Sequence, residues 1–319
     1  MKLDAEPVPA PAPVPAPDPA PECSVAVRFH APPADLRGYF TTFYCTDITV
    51  PGGALVVDSL HPEWAGLRFF GGAMAGAWVG QNAAVTGANF IATGPSSHPV
   101  PFGLPTCRLW GIGLLPLGWA RFVGVPASAC ANLVADGRHH PAFAQFAAFG
   151  TALFAAPPDE AAELDRIAAF FRARLAASVA ADDQRIAAIH AALVDPTSRS
   201  VGDLAAGAGL GQRTLERVCL RQFGFAPKLL LRRQRFMRSL AQFMLDPSLK
   251  WIGALDGNYH DQAQFVRDFH EFMGETPRAY AARPHPVLGT FLRERMRVAG
   301  SAVQTTDPSA GVAPRAQPR

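Results

Sequence analysis

Val201-Gly-Asp-Leu-Ala-Ala-Gly-Ala-Gly-Leu-Gly-Gln-Arg-Thr-Leu-Glu-Arg-Val218 has the spacing of a helix-turn-helix. Two short helices locked at a steep angle need apolar residues facing inward, a small residue where they touch and a glycine in the turn. Leu204, Ala208, Leu210, Leu215 and Val218 supply the inward face, and Ala205 the small contact. Gly209 supplies the turn residue, which takes a left-handed conformation. The second helix then turns Gln212, Arg213, Glu216 and Arg217 outward, on a face without large apolar groups. Ser200 stands where it can cap the first helix.

The unit is written twice. In a second copy near Trp251, Ala254 takes the role of Ala205, Asn258 that of Gly209, Tyr259 that of Leu210 and Phe265 that of Leu215. After the turn Arg217 corresponds to Arg267, Cys219 to Phe269, Gly224 to Gly274 and Pro227 to Pro277. Asn tolerates positive φ better than other non-glycine residues, so Asn258 is compatible with a turn. Both copies end alike, in Phe223-Gly-Phe-Ala-Pro227 and Met273-Gly-Glu-Thr-Pro277, where Gly stops one helix and Pro opens the next. Between them, Pro227 to Leu245 reads as one long helix made basic by Arg232, Arg233, Arg235 and Arg238. For each of these arginines, phosphate contact and a salt-bridged surface are both open.

Over residues 186–283 the chain resembles the AraC/XylS family of transcriptional regulators. The resemblance is carried by Ala205-x-x-x-Gly209-Leu210, Arg213-Thr-Leu-Glu-Arg217, Phe223-Gly-Phe-Ala-Pro227, Arg235-Phe236, Tyr259-His-Asp-Gln-Ala-Gln-Phe265 and Gly274-Glu-Thr-Pro277. It implies two helix-turn-helix units on one long helix, with recognition helices entering successive major grooves of double-stranded DNA. The chain departs from the family at Asn258, where glycine is usual, at Asp256, where a small apolar residue is common, and at Cys219, which replaces an aromatic.

The chemistry of the outward residues fits that expectation. Arg213 and Arg217 lie four apart on one helical face, and arginine grips guanine O6 and N7 with two parallel hydrogen bonds. Glu216 can accept from cytosine N4 or orient either arginine. In the second unit Gln262 and Gln264 can read adenine or donate to phosphate, and Arg267 matches Arg217. Asp261 precedes them as a helix cap. The first unit is therefore expected to carry most of the base preference, and the second affinity and register.

Charge is unevenly placed. The whole chain is only +3, but residues 185–297 hold seventeen Lys and Arg against ten Asp and Glu, and the remainder is net −4. A basic C-terminal half beside a mildly acidic N-terminal half suits a DNA-binding domain with a separate partner domain.

Residues 24–136 have a different texture. Val25–Phe29, Phe40–Tyr44, Ala54–Val57, Gly66–Phe70, Asn89–Thr93 and Arg108–Leu115 are short apolar runs between Gly and Pro, spaced like strands. The fold class expected is α+β: a cupin-like β-barrel or sandwich followed by an all-α domain with two helix-turn-helix units. The cupin-like, sensor-type character is an implication of the resemblance and the domain order. Asp35–Phe40 reads as a short helical turn. Trp64, Trp78, Trp110 and Trp119 can form core or line a small-molecule site, and no ligand residue is assigned. His30, His61, His98, His139 and His140 lack the clustering of a metal site, so no metal or other cofactor is expected.

From Pro157 the periodicity turns helical. Leu164, Ile167, Ala168, Phe171 and Leu175 form a stripe at three-four spacing, for which dimerisation and packing on the chain's own barrel are both open. Asp183 to Val194 reads as the first helix of the DNA-binding part, and Val287 to Met296 as one more short helix. The expected organisation is a disordered Pro/Ala-rich tail over 1–22, a β-rich regulatory domain over 24–150, a linker helix over 157–182, a DNA-binding domain over 183–285 that folds alone, and a disordered tail over 299–319.

Other functions are less well supported. The five cysteines are scattered, which suits a reducing cytoplasm and gives no zinc or acceptor-thiol cluster. No phosphate-binding glycine loop, nucleophile elbow or paired-histidine motif is present, so no enzyme is expected. The run from Leu109 to Val125 is broken by Pro116, four glycines and Arg121, so no membrane span is expected. A small-molecule effector, RNA polymerase and a second copy of the chain are open as partners. The alternative is an interaction or ligand-sensing scaffold with a degenerate DNA-binding domain.

Overall fold

The short apolar runs over residues 24–136 become, among the described residues, nine β-strands. They are β1 Ser24–His30, β2 Phe40–Thr49, β3 Val56–Leu60, β4 Gly66–Phe70, β5 Gly76–Ala77, β6 Phe90–Thr93, β7 Val100–Leu104, β8 Cys107–Leu114 and β9 Val134–Asp136. The structure is a computed structural model that describes residues 23–72, 76–77, 85–178, 182–245 and 262–299. The two expected tails, Trp78, and the first helix and turn of the second unit (Trp251, Ala254, Asp256, Asn258, Tyr259 and Asp261) lie outside the described residues.

The strands form two antiparallel sheets, one of order β1-β2-β8-β4-β6-β9 and one of order β3-β7-β5. Adjacent residues on a strand face opposite ways, and the larger sheet uses both faces. Phe43, Phe69, Phe90 and Trp110 pack outward against Phe143, Phe146 and Phe171 from the helical cover. Their neighbours Tyr44, Phe70, Ile91 and Leu109 pack inward against Val56, Val100, Phe102 and Leu104 of the smaller sheet. This explains why β4 has no exposed residue, and even its Arg68 is buried. Gly111 permits the fit, because a Cβ there would lie 1.8 Å from the Tyr44 ring.

The six strands expected from the sequence are present, and β5, β7 and β9 are additional. β7 was hidden by Pro101, which reads as a strand breaker. Pro101 pairs with Ser59 of β3, whereas β5 reaches only Phe102 and Gly103. Pro101 thus sits in β7 beyond the two residues that pair with β5. Asp35–Phe40 is a run of turns closed by Leu36 N–H to Pro33 and Tyr39 N–H to Leu36, and it passes directly into β2.

Helices cover the outer face of the larger sheet. After α1 (Pro116–Gly118) and α2 (Ala147–Leu153) comes α3 (Glu160–Ala177). Asp159 caps α3 by accepting from Ala162 N at 3.1 Å, and Glu160 and Glu163 sit favourably in its first turn. Ile167, Ala168 and Phe171 bury against the sheet's outer layer. Glu163 is buried there, accepting from Trp110 Nε1 at 2.7 Å and pairing with Arg108. The stripe for which dimerisation was open is occupied by its own chain.

The C-terminal half is helical: α4 Asp183–Val194, α5 Val201–Gly207, α6 Gln212–Val218, α7 Pro227–Leu245, α8 Gln262–Met273, α9 Pro277–Ala282 and α10 Leu288–Ala299. α10 starts one residue later than the sequence suggested and runs three further, to Ala299, where the tail was expected to begin.

The two halves share core. Trp64, from the β3–β4 connection, is 2 % exposed and packs in one cluster with Ile186, Leu193, Leu204, Leu215, Phe223 and Leu230. Arg233 of α7 lies over the Trp64 ring at 4.2 Å and donates to the Ser96 carbonyl at 2.8 Å. Arg233 is fully buried, so for this arginine neither sequence expectation holds: it reaches the β-domain. His61 Nε2 lies 2.7 Å from the Tyr280 hydroxyl, a second bond across the same junction. No helix among the described residues is long and apolar enough to cross a membrane.

Candidate nucleic-acid interface

The first unit is built by local rules. Ser200 Oγ accepts from Asp203 N at 3.1 Å while the Asp203 carboxylate accepts from Ser200 N at 2.9 Å, a reciprocal capping box that starts α5. Gly209 makes the turn with φ +65°, and Leu210 N–H donates to the Ala205 carbonyl at 2.9 Å. Leu204, Ala205, Leu215 and Val218 are buried as the spacing required. Gln212, Arg213, Glu216 and Arg217 are all exposed on α6, and neither arginine pairs with a carboxylate of a described residue. Their donors are available to a ligand. α6 continues into a wider turn over Cys219–Phe223, which Gly224 ends with φ +85°.

In the second unit α8 buries Phe265, Phe269, Phe272 and Met273. Gln262 opens this helix, Gln264 is half-buried and Arg267 is exposed. Gly274 ends the helix at φ +73°, and Thr276 caps α9 through Ala279 N at 3.2 Å. α7 joins the units. Its Phe236, Met237, Leu240 and Phe243 enter the core of the second unit, and its Leu230 enters that of the first. Arg232 and Arg235 donate to Asp268 at 2.6 and 2.8 Å, and Arg232 also pairs with Glu271. These ion pairs link α7 to α8.

A cleft of about 670 Å³ runs between the two units. Arg199, Lys228, Arg232, Arg235, Arg238 and Arg267 line it, with Asp268 and Glu271 as the acidic members. An excess of cations in a polar cleft suits a phosphate backbone lying between two grooves. Sequence reasoning named Arg267 and Gln264 but missed Arg199 and Lys228. These two stand at opposite ends of the first unit, and only the fold brings them to one cleft. Among the described residues no group of three or more His, Cys, Asp or Glu could hold a metal ion.

Residues 204–283 match the family described as helix-turn-helix domain. No curated relative matches the chain. Among solved structures, ToxT from Vibrio cholerae is similar at 11 % identity and a TM-score of 0.43, covering 81 % of this chain and 97 % of that one. The AraC-like transcriptional activator CuxR is similar at 13 % identity and a TM-score of 0.25, covering 68 % and 87 %. The domain match falls on the paired units, so residues 204–283 form a helix-turn-helix domain.

Proposed function

We propose that the chain binds double-stranded DNA in two successive major grooves. α6 enters one groove with Gln212, Arg213, Glu216 and Arg217, and α8 enters the next with Gln262, Gln264 and Arg267. The observation that carries this reading is the pair of exposed α6 arginines, four apart and without carboxylate partners among the described residues, on a unit that α7 joins to a second one. Arg199, Lys228 and Arg238 hold the intervening backbone.

In this reading the N-terminal β-domain is regulatory and receives a small-molecule effector. The shared core around Trp64 and Arg233 supports it, because a change in the β3–β4 connection reaches α7 directly. The protein works in the cytoplasm, with no catalytic role, and acts on RNA polymerase from the bound site. Pairing with a second copy on a repeated site is read by sedimentation.

Fluorescence anisotropy with genomic DNA fragments at several salt concentrations tests the DNA reading. Affinity should fall with a log–log slope of roughly −0.9 per phosphate neutralised, several phosphates in all. No binding at low salt would refute it.

A further inference from the structure

A chamber between the two sheets is unused by DNA reading. Ile48, Phe70, Ile91, Val100, Phe102 and Leu104 wall it. Its polar floor is one connected group. Arg68 donates to both Glu63 carboxylate oxygens at 2.7 and 2.8 Å, to Thr93 Oγ1 at 3.1 Å and to the Tyr44 hydroxyl at 3.0 Å. All four residues are buried. Glu63 matches the guanidinium charge, so the floor offers no net charge to an anion.

The mouth is filled by the chain's own C-terminal helix. Leu288, Phe291, Leu292 and Arg295 recur at helical spacing on one stripe of α10. Val287, Leu288 and Phe291 close the chamber, and Leu288, Phe291, Leu292 and Arg295 border a second space beside Glu63 and Arg68. The Phe291 ring meets Tyr44 edge-on at 5.0 Å and Phe29 at 5.7 Å. The buried Asp58 carboxylate of β3 holds the start of the helix, accepting from Val287 N at 3.0 Å and Leu288 N at 2.8 Å. The spaces left are about 50 and 80 Å³, fit for water rather than an organic molecule. A ligand must therefore take the place of Phe291 and Leu288. Leu288 and Leu292 also belong to the core of the second DNA-binding unit, with Phe236, Phe265 and Phe269. Moving α10 thus disturbs that unit.

We propose that this chamber is the effector site, that it takes an uncharged, largely apolar molecule with one hydrogen-bonding group for the Tyr44–Thr93 floor, and that α10 is its built-in competitor. The proposal rests on the regulatory reading of the β-domain. Arg295 is part of the competing helix and leaves with it, so the opened chamber gains no cation.

Two fluorescent probes of one skeleton test it on the full chain: neutral N-phenyl-1-naphthylamine and its sulfonate, 1-anilinonaphthalene-8-sulfonate. Phe291→Ala and, separately, Leu288→Ala should bind the neutral probe about tenfold more tightly than the unaltered chain, because the competitor loses apolar contact. Adding Val100→Phe should remove that gain by filling the chamber. Unchanged affinity in both helix variants, or a gain that survives Val100→Phe, overturns the site. An equal gain by the sulfonate overturns the uncharged class and is also what a merely loosened core would give. DNA anisotropy on the same samples is read separately, so failure of the regulator reading is distinguishable from failure of the chamber.

Discussion

Trp64→Ala tests whether the regulatory and DNA-binding halves are one cooperative unit. The indole is 2 % exposed, meets His190, Phe223 and Arg233, and lies in one core cluster with residues of α4, α5, α6 and α7. Burying a tryptophan removes about 150–250 Å² from water, which at about 25 cal/mol per Å² is worth about 4–6 kcal/mol. Its Nε1 is buried without a hydrogen-bond partner, a penalty of about 1–3 kcal/mol that the variant escapes. Arg233 loses its aromatic face at the same time, at about 1–2 kcal/mol. The net loss should be about 4–5 kcal/mol, within the usual range for tryptophan truncation in a core. Calorimetry should show one transition for the unaltered chain and two for the variant, as the helical half melts ahead of the β-domain. A single transition shifted by the equivalent of less than about 1 kcal/mol would refute the shared core.

Three further outcomes follow from the same geometry. His190 is 3 % exposed, and burial, followed by the Arg233 charge, pushes its imidazole down to about 4 from the ordinary 6.5. The native state keeps it neutral while the unfolded chain takes up a proton below pH 6.5. The His190 contribution should be intact above 6.5 and fall by about 3 kcal/mol as pH drops toward 4; His61, which burial pushes down to about 3, weakens the fold over the same range, so His190→Leu should lessen the fall in urea midpoints without abolishing it. Asp58→Ala removes the one carboxylate oxygen that accepts from both amides at the start of α10; it should cost about 1–3 kcal/mol and speed limited proteolysis near residue 286, and an unchanged cleavage rate would count against that anchor. Arg213→Ala or Arg217→Ala should cost about 1–3 kcal/mol of base discrimination in one half of the DNA site, whereas Gln264→Ala should weaken binding evenly, as competition with random DNA will show.

The DNA-binding units were legible because short-range rules build them. Gly209, Ser200 with Asp203, and Leu215 each act within a few residues of themselves, and periodicity alone places them. The strands with clean alternation were legible for the same reason. β7 was not, since Pro101 reads locally as a strand breaker and its pairing with Ser59 of β3 is set by distant residues. The roles of Trp64 and Arg233 were also invisible. Both read as ordinary core and surface residues until the β3–β4 connection is brought against α7, more than 160 positions away in sequence. α10 looked like an appended helix, because its stripe of Leu288, Phe291 and Leu292 has no partner within its own neighbourhood of sequence. Among the candidate site residues, Arg199 and Lys228 join the cleft through the fold alone.

Selection of DNA sites from a random pool by the intact chain tests the central claim most directly. The account predicts two preferred blocks about one helical turn, roughly 10 base pairs, apart, with Arg213→Ala erasing preference in one block and leaving the other. A pool that emerges without enriched sequence, or a single block insensitive to Arg213 and Arg217, would contradict it.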